Sequence, residues 1–212
     1  MINCQIKQVI VDMTLRCYSE KLFAGTSGNL SVYDRETGYM YITPGSYPYE
    51  KLTADDIMVM TLDGEKVDGV HNQSSEWRMH AAVYREMPGV GAVINTHSHY
   101  ATSFAVNRQP VPVILIEMVP FLGGDVPVAE FAIPGTEAVG SNAVAVLGDR
   151  NACLMANHGV LAIGADLEQA HIRAVYVEDA AKICAIAKSN RDPVFVIDDK
   201  DVAFMKNRGK KK

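Results

Sequence analysis

The chain alternates between segments with helical and with strand-like spacing of its apolar residues. Between residues 3 and 22, apolar side chains recur at Ile6, Val9 and Met13, which is the spacing of one helix face, and Gly25 follows as a stop. Further helices are predicted at 74–87, at 136–149 and, as a long final helix, at 167–190.

Strand-like segments lie between these helices, and tight turns join several of them. NLSVYD, the turn RETG and YMYIT (39–43) predict one hairpin, and ACLMA, NHG and VLAIG (152–164) predict another. A buried strand is predicted at 89–97 and an extended run at 111–117. Because tight turns join antiparallel neighbours, we expect an α/β fold with a largely antiparallel sheet and helices on both faces.

Composition narrows the class of protein further. The 212 residues are 48% hydrophobic and show no linker, so a single domain spanning 1–212 is expected. The net charge of −5 argues against a nucleic-acid partner. The basic segment 205–212, which ends in NRGKKK, is predicted to be a frayed tail.

The cysteines and the apolar runs indicate the compartment. The four cysteines form no CxxC pair and read as reduced thiols rather than as a disulfide framework. No run of about 18 apolar residues occurs, and polar residues enter too early for a signal peptide. We therefore expect a cytoplasmic protein without a membrane partner.

Four side chains from distant segments are candidate metal ligands. His97 and His99 follow a predicted buried strand, and alternate residues of a strand point to the same face. His158 lies at the tip of a predicted turn, and Glu76 lies in the first turn of a helix, where the helix dipole alone would favour a carboxylate. Together they would provide three imidazoles and a carboxylate, a ligand set for a zinc-like ion.

A second set of candidates consists of small and polar residues. Free backbone N–H groups at a helix start and at glycine-rich turns bind phosphate readily, although such loops are more often only turns. The predicted site contains no lysine or arginine. Its residues are Gly28, Asn29, Gly45, Ser46, Ser74 and Ser75.

The motifs of the chain resemble those of the class II aldolase/adducin family from about residue 5 to 190. They are GTSGNLS, ITPGSYPYEKL, QSSEWRMHAAVY, AVINTHSHYATSFA and NHGVLAIG. The resemblance implies a three-layer α/β/α domain and a homotetramer with active sites at subunit boundaries. It also implies one divalent metal ion per subunit, usually zinc with Mn²⁺ or Co²⁺ as alternatives, and a proton-transfer role for the ligand Glu76. The matched phosphate-binding positions are Gly28, Asn29, Ser74 and Ser75.

This chain departs from the family pattern at two of these places. Gly45 and Ser46 stand where the aldolases have a Thr-Gly pair. Asn95 occupies the first histidine position of the family's HxH motif, His97 the second, and His99 is additional. We expect His99 to supply the missing imidazole, with Asn95 as the alternative ligand.

A further departure concerns the proton donor. The aldolases have a tyrosine near residue 117 that acts across the subunit boundary, whereas this chain has Glu117, which resembles the acid/base of methylthioribulose-1-phosphate dehydratases. We expect Glu117 to donate the proton to the aldehyde oxygen.

The resemblance implies a metal-dependent aldolase acting on a small phosphorylated sugar. The expected reaction is cleavage of a 1-phosphoketose, either L-fuculose-1-phosphate or a 5-deoxy-pentulose 1-phosphate, to dihydroxyacetone phosphate and an aldehyde. Alternatives are a pentulose-phosphate 4-epimerase, a methylthioribulose-1-phosphate dehydratase and a non-catalytic adducin-like interaction domain. The epimerases carry aspartate in place of the glutamate at position 76.

Overall fold

The computed structural model describes residues 1–190 and 193–209, and a single mixed sheet lies at the centre of this part of the chain. Its strands follow the order β4-β3-β2-β1-β5-β8-β7-β6, and all neighbours are antiparallel except β6 and β7. The strands are β1 (Asn29–Asp34), β2 (Tyr39–Ile42), β3 (Met58–Thr61), β4 (Lys66–Asp68), β5 (Ala92–Thr96), β6 (Val128–Ala129), β7 (Ala152–Met155) and β8 (Gly159–Gly164).

Helices cover both faces of the sheet. They are α1 (Cys4–Ser19), α2 (Trp77–Glu86), α3 (His99–Val106), α4 (Met118–Leu122), α5 (Glu137–Leu147), α6 (Leu167–Ser189) and α7 (Asp199–Gly209). Within the described residues, none of these helices combines the length and the apolarity that a membrane span requires.

Two separate apolar cores show that the sheet is the middle of three layers. One core packs Leu30 and Ile94 against residues of α1, α3, α4 and α6. The other packs Met40 and Val93 against residues of α2 and α5. Side chains of successive strand residues alternate between the two cores, as the pleat of a sheet requires. The predicted three-layer α/β/α architecture with a largely antiparallel sheet is therefore confirmed.

The pairing of β1 with β5 determines which polar residues meet near the centre of the sheet. Asn29 lies opposite Asn95, and Ser31 lies opposite Val93. Because Val93 belongs to the core under α2 and α5, Asn29, Ser31 and Asn95 share that face. The start of β1 and the end of β5 thus present two asparagine side chains next to each other on the α2 side.

Both predicted hairpins and the predicted long helices are present. The prediction of an extended run at 111–117 is wrong. Only Val111 makes a bridge, to Val126, and the chain then bends and turns into α4. Pro110 and Pro112 flank Val111 and have no backbone N–H to donate to a neighbouring strand, which explains why the apolar run forms no strand.

The prediction of a frayed tail at 205–212 is also wrong for residues 205–209, which form the end of α7. Val202 and Met205 pack against the main core, and Lys206 Nζ lies 2.9 Å from a carboxylate oxygen of Asp149. These apolar contacts hold the segment against the domain despite its basic charge. Residues 210–212 lie outside the described residues.

A close approach between α2 and α5 holds the helix that carries Glu76. A Cβ atom added at Gly140 of α5 would lie 2.6 Å from Ala82 Cβ and 3.1 Å from Met79 Cα. Only a residue without a side chain permits this packing distance.

We expect Gly140→Ala to lower the free energy of unfolding by roughly 1–3 kcal/mol, because overpacking outweighs the gain in helix propensity. Ser141→Ala, at the exposed neighbouring position of the same helix, is the control and should be within about 0.5 kcal/mol of wild type. Urea unfolding measures both variants. A Gly140→Ala protein as stable as wild type would show that the two helices are not closely packed.

Candidate active site

A cavity of about 380 Å³ opens where β1 and β8 begin and β5 ends. All six predicted phosphate-binding residues line it, together with Glu76, His97 and His158. The two predicted clusters therefore form one site. The lining residues are Thr26, Ser27, Gly28, Asn29, Pro44, Gly45, Ser46, Ser74, Ser75, Glu76, His97, Pro134, Asn157 and His158.

Glu76 is a buried carboxyl group without a partner for one of its oxygens. Glu76 is the N-cap residue of α2 rather than part of its first turn, and it is only 5% exposed to solvent. Its Oε2 atom has no hydrogen-bond partner among the described residues. Burial raises the pKa of Glu76, and a hydrogen bond from the Gly135 backbone partly opposes this shift. The environment thus favours a carboxyl group that can hold a proton.

The rings of His97 and His158 lie against each other at the cavity wall. Their centroids are 5.0 Å apart, and His97 Nε2 is buried without a partner. Burial lowers the pKa of both imidazoles, that of His158 to about 4 with a further contribution from His97, so both are neutral at physiological pH. Neutral imidazoles are the form that binds metal ions.

Gly159 brings the two imidazoles together. A Cβ atom at Gly159 would lie 2.1 Å from the carbonyl oxygen of Thr96. The turn that carries His158 can therefore approach the end of β5 only with glycine at this position. The glycine of the NHG motif thus determines how closely His158 approaches the end of β5.

The prediction that His99 shares a strand face with His97 is wrong. Strand β5 ends at Thr96, and His99 is the first residue of α3, exposed and away from the cavity lining. Asn95, the alternative candidate, lies beside His158. This residue is fully buried, its Nδ2 lies 3.5 Å from His158 Nε2, and its Oδ1 has no partner among the described residues.

Two residues that line the cavity have a buried polar atom without a partner among the described residues, Glu76 Oε2 and His97 Nε2, and so does Asn95 Oδ1, which belongs to a residue beside His158 but outside the lining. Leaving such an atom unpaired costs about 1–3 kcal/mol, so an external partner is expected. Nitrogen and oxygen donors of these types suit a divalent cation. Within residues 1–190 and 193–209, however, no three His, Cys, Asp or Glu side chains are arranged to hold a metal ion. Asn95 would therefore be needed as a donor, with some adjustment of Glu76.

The rest of the cavity lining is neutral and rich in hydrogen-bond donors. It contains Ser74, whose Oγ accepts a hydrogen bond from the Glu76 backbone N–H at 3.3 Å, and the exposed Ser75. Ser46 has a positive φ of 53°, so its loop turns sharply at the cavity. Neither lysine nor arginine belongs to the lining. An anion here would be bound by hydroxyl, amide and backbone N–H groups.

A buried network beneath Asn29 escaped the sequence analysis, which assigned no role to His80. His80 Nε2 lies 2.6 Å from Asn29 Oδ1, and His80 Nδ1 lies 2.6 Å from Ser31 Oγ. Tyr84 OH lies 2.7 Å from Ser31 Oγ and donates to the Ser31 carbonyl at 2.9 Å. The spacing of His80 and Tyr84, four and eight residues after Glu76, could have indicated a shared helix face.

Other cavity residues were also missed. Thr26 and Ser27 lie within the GTSGN motif, and Asn157 directly precedes His158, so their sequence neighbours gave a signal. Pro134 gave none, because it reaches the site only through the fold.

Glu117 does not line the cavity of its own chain. It is half-buried and precedes α4 as its N-cap residue. The neighbouring Ile116 is 64% exposed, so this segment presents an apolar side chain to the surroundings. In a single chain the predicted proton donor and the cavity are separate.

The family model, the related sequences and the solved structure that this chain matches all belong to class II aldolases. A family model described as Class II Aldolase and Adducin N-terminal domain matches residues 8–185. The chain is 33% identical over 201 residues to the L-fuculose phosphate aldolase of Escherichia coli O6:H1, covering 95% of this chain and 92% of that protein. It is 32% identical over 205 residues to the 5-deoxy-D-ribulose 1-phosphate aldolase of Bacillus thuringiensis serovar kurstaki, covering 97% and 94%. A solved L-fuculose 1-phosphate aldolase has a TM-score of 0.94 and 37% identity, covering 99% of this chain and 98% of that chain.

We expect Asn95→Ala to weaken binding of Zn²⁺ and Mn²⁺ by roughly tenfold or more, whereas His99→Ala, the matched control, binds them like wild type. The reason is that Asn95 has a free buried oxygen beside the histidine pair and His99 faces away. Chelator competition on metal-stripped protein measures both affinities. Weakened binding in His99→Ala with unchanged binding in Asn95→Ala would restore His99 as the ligand.

Proposed function

Because the chain belongs to the class II aldolase and adducin family, we propose that it is a metal-dependent sugar-phosphate aldolase. Its substrate would be a 1-phosphoketose, L-fuculose-1-phosphate or a 5-deoxy-pentulose 1-phosphate. The reaction would break the C3–C4 bond and release dihydroxyacetone phosphate and an aldehyde. The observation that carries the proposal is the single cavity in which a neutral anion cradle adjoins Glu76, His97 and His158.

The phosphate on C1 would occupy the wall formed by the loops at 26–29 and 45–46 and the segment before α2. Backbone N–H groups there, the hydroxyls of Ser74 and Ser75 and the amide of Asn29 provide donors without a cation. Each such donor contributes roughly 1–3 kcal/mol to binding of a charged group. The cradle would thereby fix the distance from C1 to the carboxyl group of Glu76.

His97, His158, Glu76 and Asn95 would hold one divalent ion, with Zn²⁺ as the expected ion and Mn²⁺ or Co²⁺ as alternatives. Such an ion would act as a Lewis acid that stabilises the negative charge developing on the substrate's C2 oxygen. The unpartnered atoms of Glu76, Asn95 and His97 support this role.

Glu76 would move the proton at C3. When the C3–C4 bond breaks, its electron pair remains with C3, which must then gain a proton to give dihydroxyacetone phosphate. Glu76, whose Oε2 has no hydrogen-bond partner among the described residues, would carry this proton to C3. In the synthetic direction the same group removes the proton from C3.

Glu117 would act from a neighbouring subunit of a homotetramer. In cleavage it would accept the proton of the C4 hydroxyl as the aldehyde forms, and in synthesis it would donate that proton to the aldehyde oxygen. Its position outside the cavity of its own chain and the exposed Ile116 beside it support a role at a subunit boundary.

The alternatives fit the site less well. A 4-epimerase is disfavoured by Glu76, because those relatives carry aspartate there. A methylthioribulose-1-phosphate dehydratase is supported by Glu117 alone. An adducin-like interaction domain would gain nothing from three buried polar atoms without partners.

We expect purified protein to release dihydroxyacetone phosphate from at least one 1-phosphoketose in a panel, and EDTA to stop the reaction. Glu76→Gln should lower turnover by at least roughly 10³-fold, because the amide cannot move the proton at C3. Glu86→Gln, at the exposed end of the same helix, should behave like wild type. Coupled detection of dihydroxyacetone phosphate measures all of these.

Product analysis on the same panel tests the alternatives. An epimer or a dehydrated diketone in place of dihydroxyacetone phosphate would replace the aldolase with one of its two enzymatic rivals. No conversion of any substrate and no metal binding would favour the interaction domain.

We expect Glu117→Gln to slow cleavage by roughly 10²–10⁴-fold, because the C4 hydroxyl loses its proton acceptor. Glu36→Gln, in the turn between β1 and β2, is the control and should not change the rate. Steady-state kinetics at saturating substrate measure both. An unchanged rate in Glu117→Gln would assign the carboxylate a structural role.

A further inference from the structure

We propose that His80 is a positioning residue for phosphate recognition, because its imidazole holds the Asn29 amide with the NH₂ group toward the cavity. His80 itself lies beneath the site and contacts no cavity space. The inference rests on the proposed function, since it assigns an orientation to a residue of the proposed phosphate cradle.

Both ring nitrogens of His80 have a close polar partner in the interior. The residue has no solvent exposure, and its Nε2 lies 2.6 Å from Asn29 Oδ1. Its Nδ1 lies 2.6 Å from Ser31 Oγ. The ring therefore connects α2 with two residues on the same face of β1, and only one of them, Asn29, reaches the cavity.

The chemistry of these partners determines where the ring hydrogen lies. A carbonyl oxygen such as Asn29 Oδ1 can only accept, so His80 Nε2 must carry the hydrogen. Complete burial lowers the pKa of His80 to about 3, so the ring is neutral and its Nδ1 must accept. Ser31 then donates to Nδ1.

Tyr84 is the first donor of this hydrogen-bond network. Ser31 Oγ donates to His80 Nδ1 and therefore meets Tyr84 OH, 2.7 Å away, as an acceptor. The single Tyr84 hydrogen is then shared between Ser31 Oγ and the Ser31 carbonyl at 2.9 Å, as a three-centre bond. Donation therefore runs from Tyr84 through Ser31 and His80 to Asn29. Every member is satisfied, as buried polar groups require.

This direction matters because the cavity wall lacks a cation. With its oxygen occupied by His80, Asn29 can offer only its NH₂ group to the cavity. The reversed amide would point a carbonyl oxygen at the phosphate, and no lysine or arginine in the lining would compensate. His80 thereby selects for an anion at this position.

Nitrogen-15 NMR of the histidine-labelled wild-type protein tests the direction of the network. The His80 signal is assigned as the one that is lost in His80→Gln or that shifts in Ser31→Ala. We expect this signal to show the neutral Nε2–H tautomer. The Nδ1–H tautomer would require a reversed Asn29 amide and would overturn the inference.

Affinity for inorganic phosphate tests the consequence. Calorimetric titration should show binding weakened roughly tenfold in His80→Gln and roughly threefold to tenfold in Ser31→Ala, the milder variant. KM for the phosphoketose should rise in parallel while kcat changes little. His71→Gln is the control, because that ring contacts Asp56 and Tyr47 rather than the network.

The outcomes separate the inference from the proposed function. Phosphate binding by wild type and equal binding by folded His80→Gln would overturn the inference alone and leave a purely structural role. No phosphate binding by wild type would overturn both. Should His80→Gln not fold, either the Nδ1–H tautomer in the wild type or an unchanged phosphate affinity in Ser31→Ala rejects the inference.

Discussion

The antiparallel pairing of β1 with β5 is the constraint on which the site depends. It places Asn29, from the glycine-rich loop, directly opposite Asn95, which precedes the histidine motif. The same register puts both on the face that α2 covers. A shift of one residue would turn every one of these side chains into the opposite core. The proposed phosphate cradle and the candidate metal ligands are neighbours because β1 and β5 pair in this register.

Buried polar groups at this place fall into two sets with different roles. Asn29, Ser31, His80 and Tyr84 bond to one another in the interior. Glu76 Oε2, Asn95 Oδ1 and His97 Nε2 have no partner in the described residues. A satisfied set fixes geometry, whereas an unsatisfied set retains the capacity to bind. The two sets adjoin, because Asn29 of the first lies opposite Asn95 of the second.

The proposed recognition of an anion without cations fits a chain of net charge −5. Backbone N–H groups and oriented amides act at short range and depend on direction, so they select a phosphate by shape more than by charge. Their cost is that each donor must be held in place. Glycines at close approaches and a fully bonded histidine meet that requirement here.

The sequence alone determined the layers and both hairpins, because these depend on local periodicity, and its short motifs named most of the residues that line the cavity. Only the tertiary structure showed that Asn95, and not His99, lies beside His158, since this depends on where β5 ends and α3 begins. It also removed the strand at 111–117 and packed α7, where proline placement and distant apolar contacts outweigh local pattern. The role of His80 was hidden for the same reason, because both of its hydrogen-bond partners lie about fifty residues away along the chain.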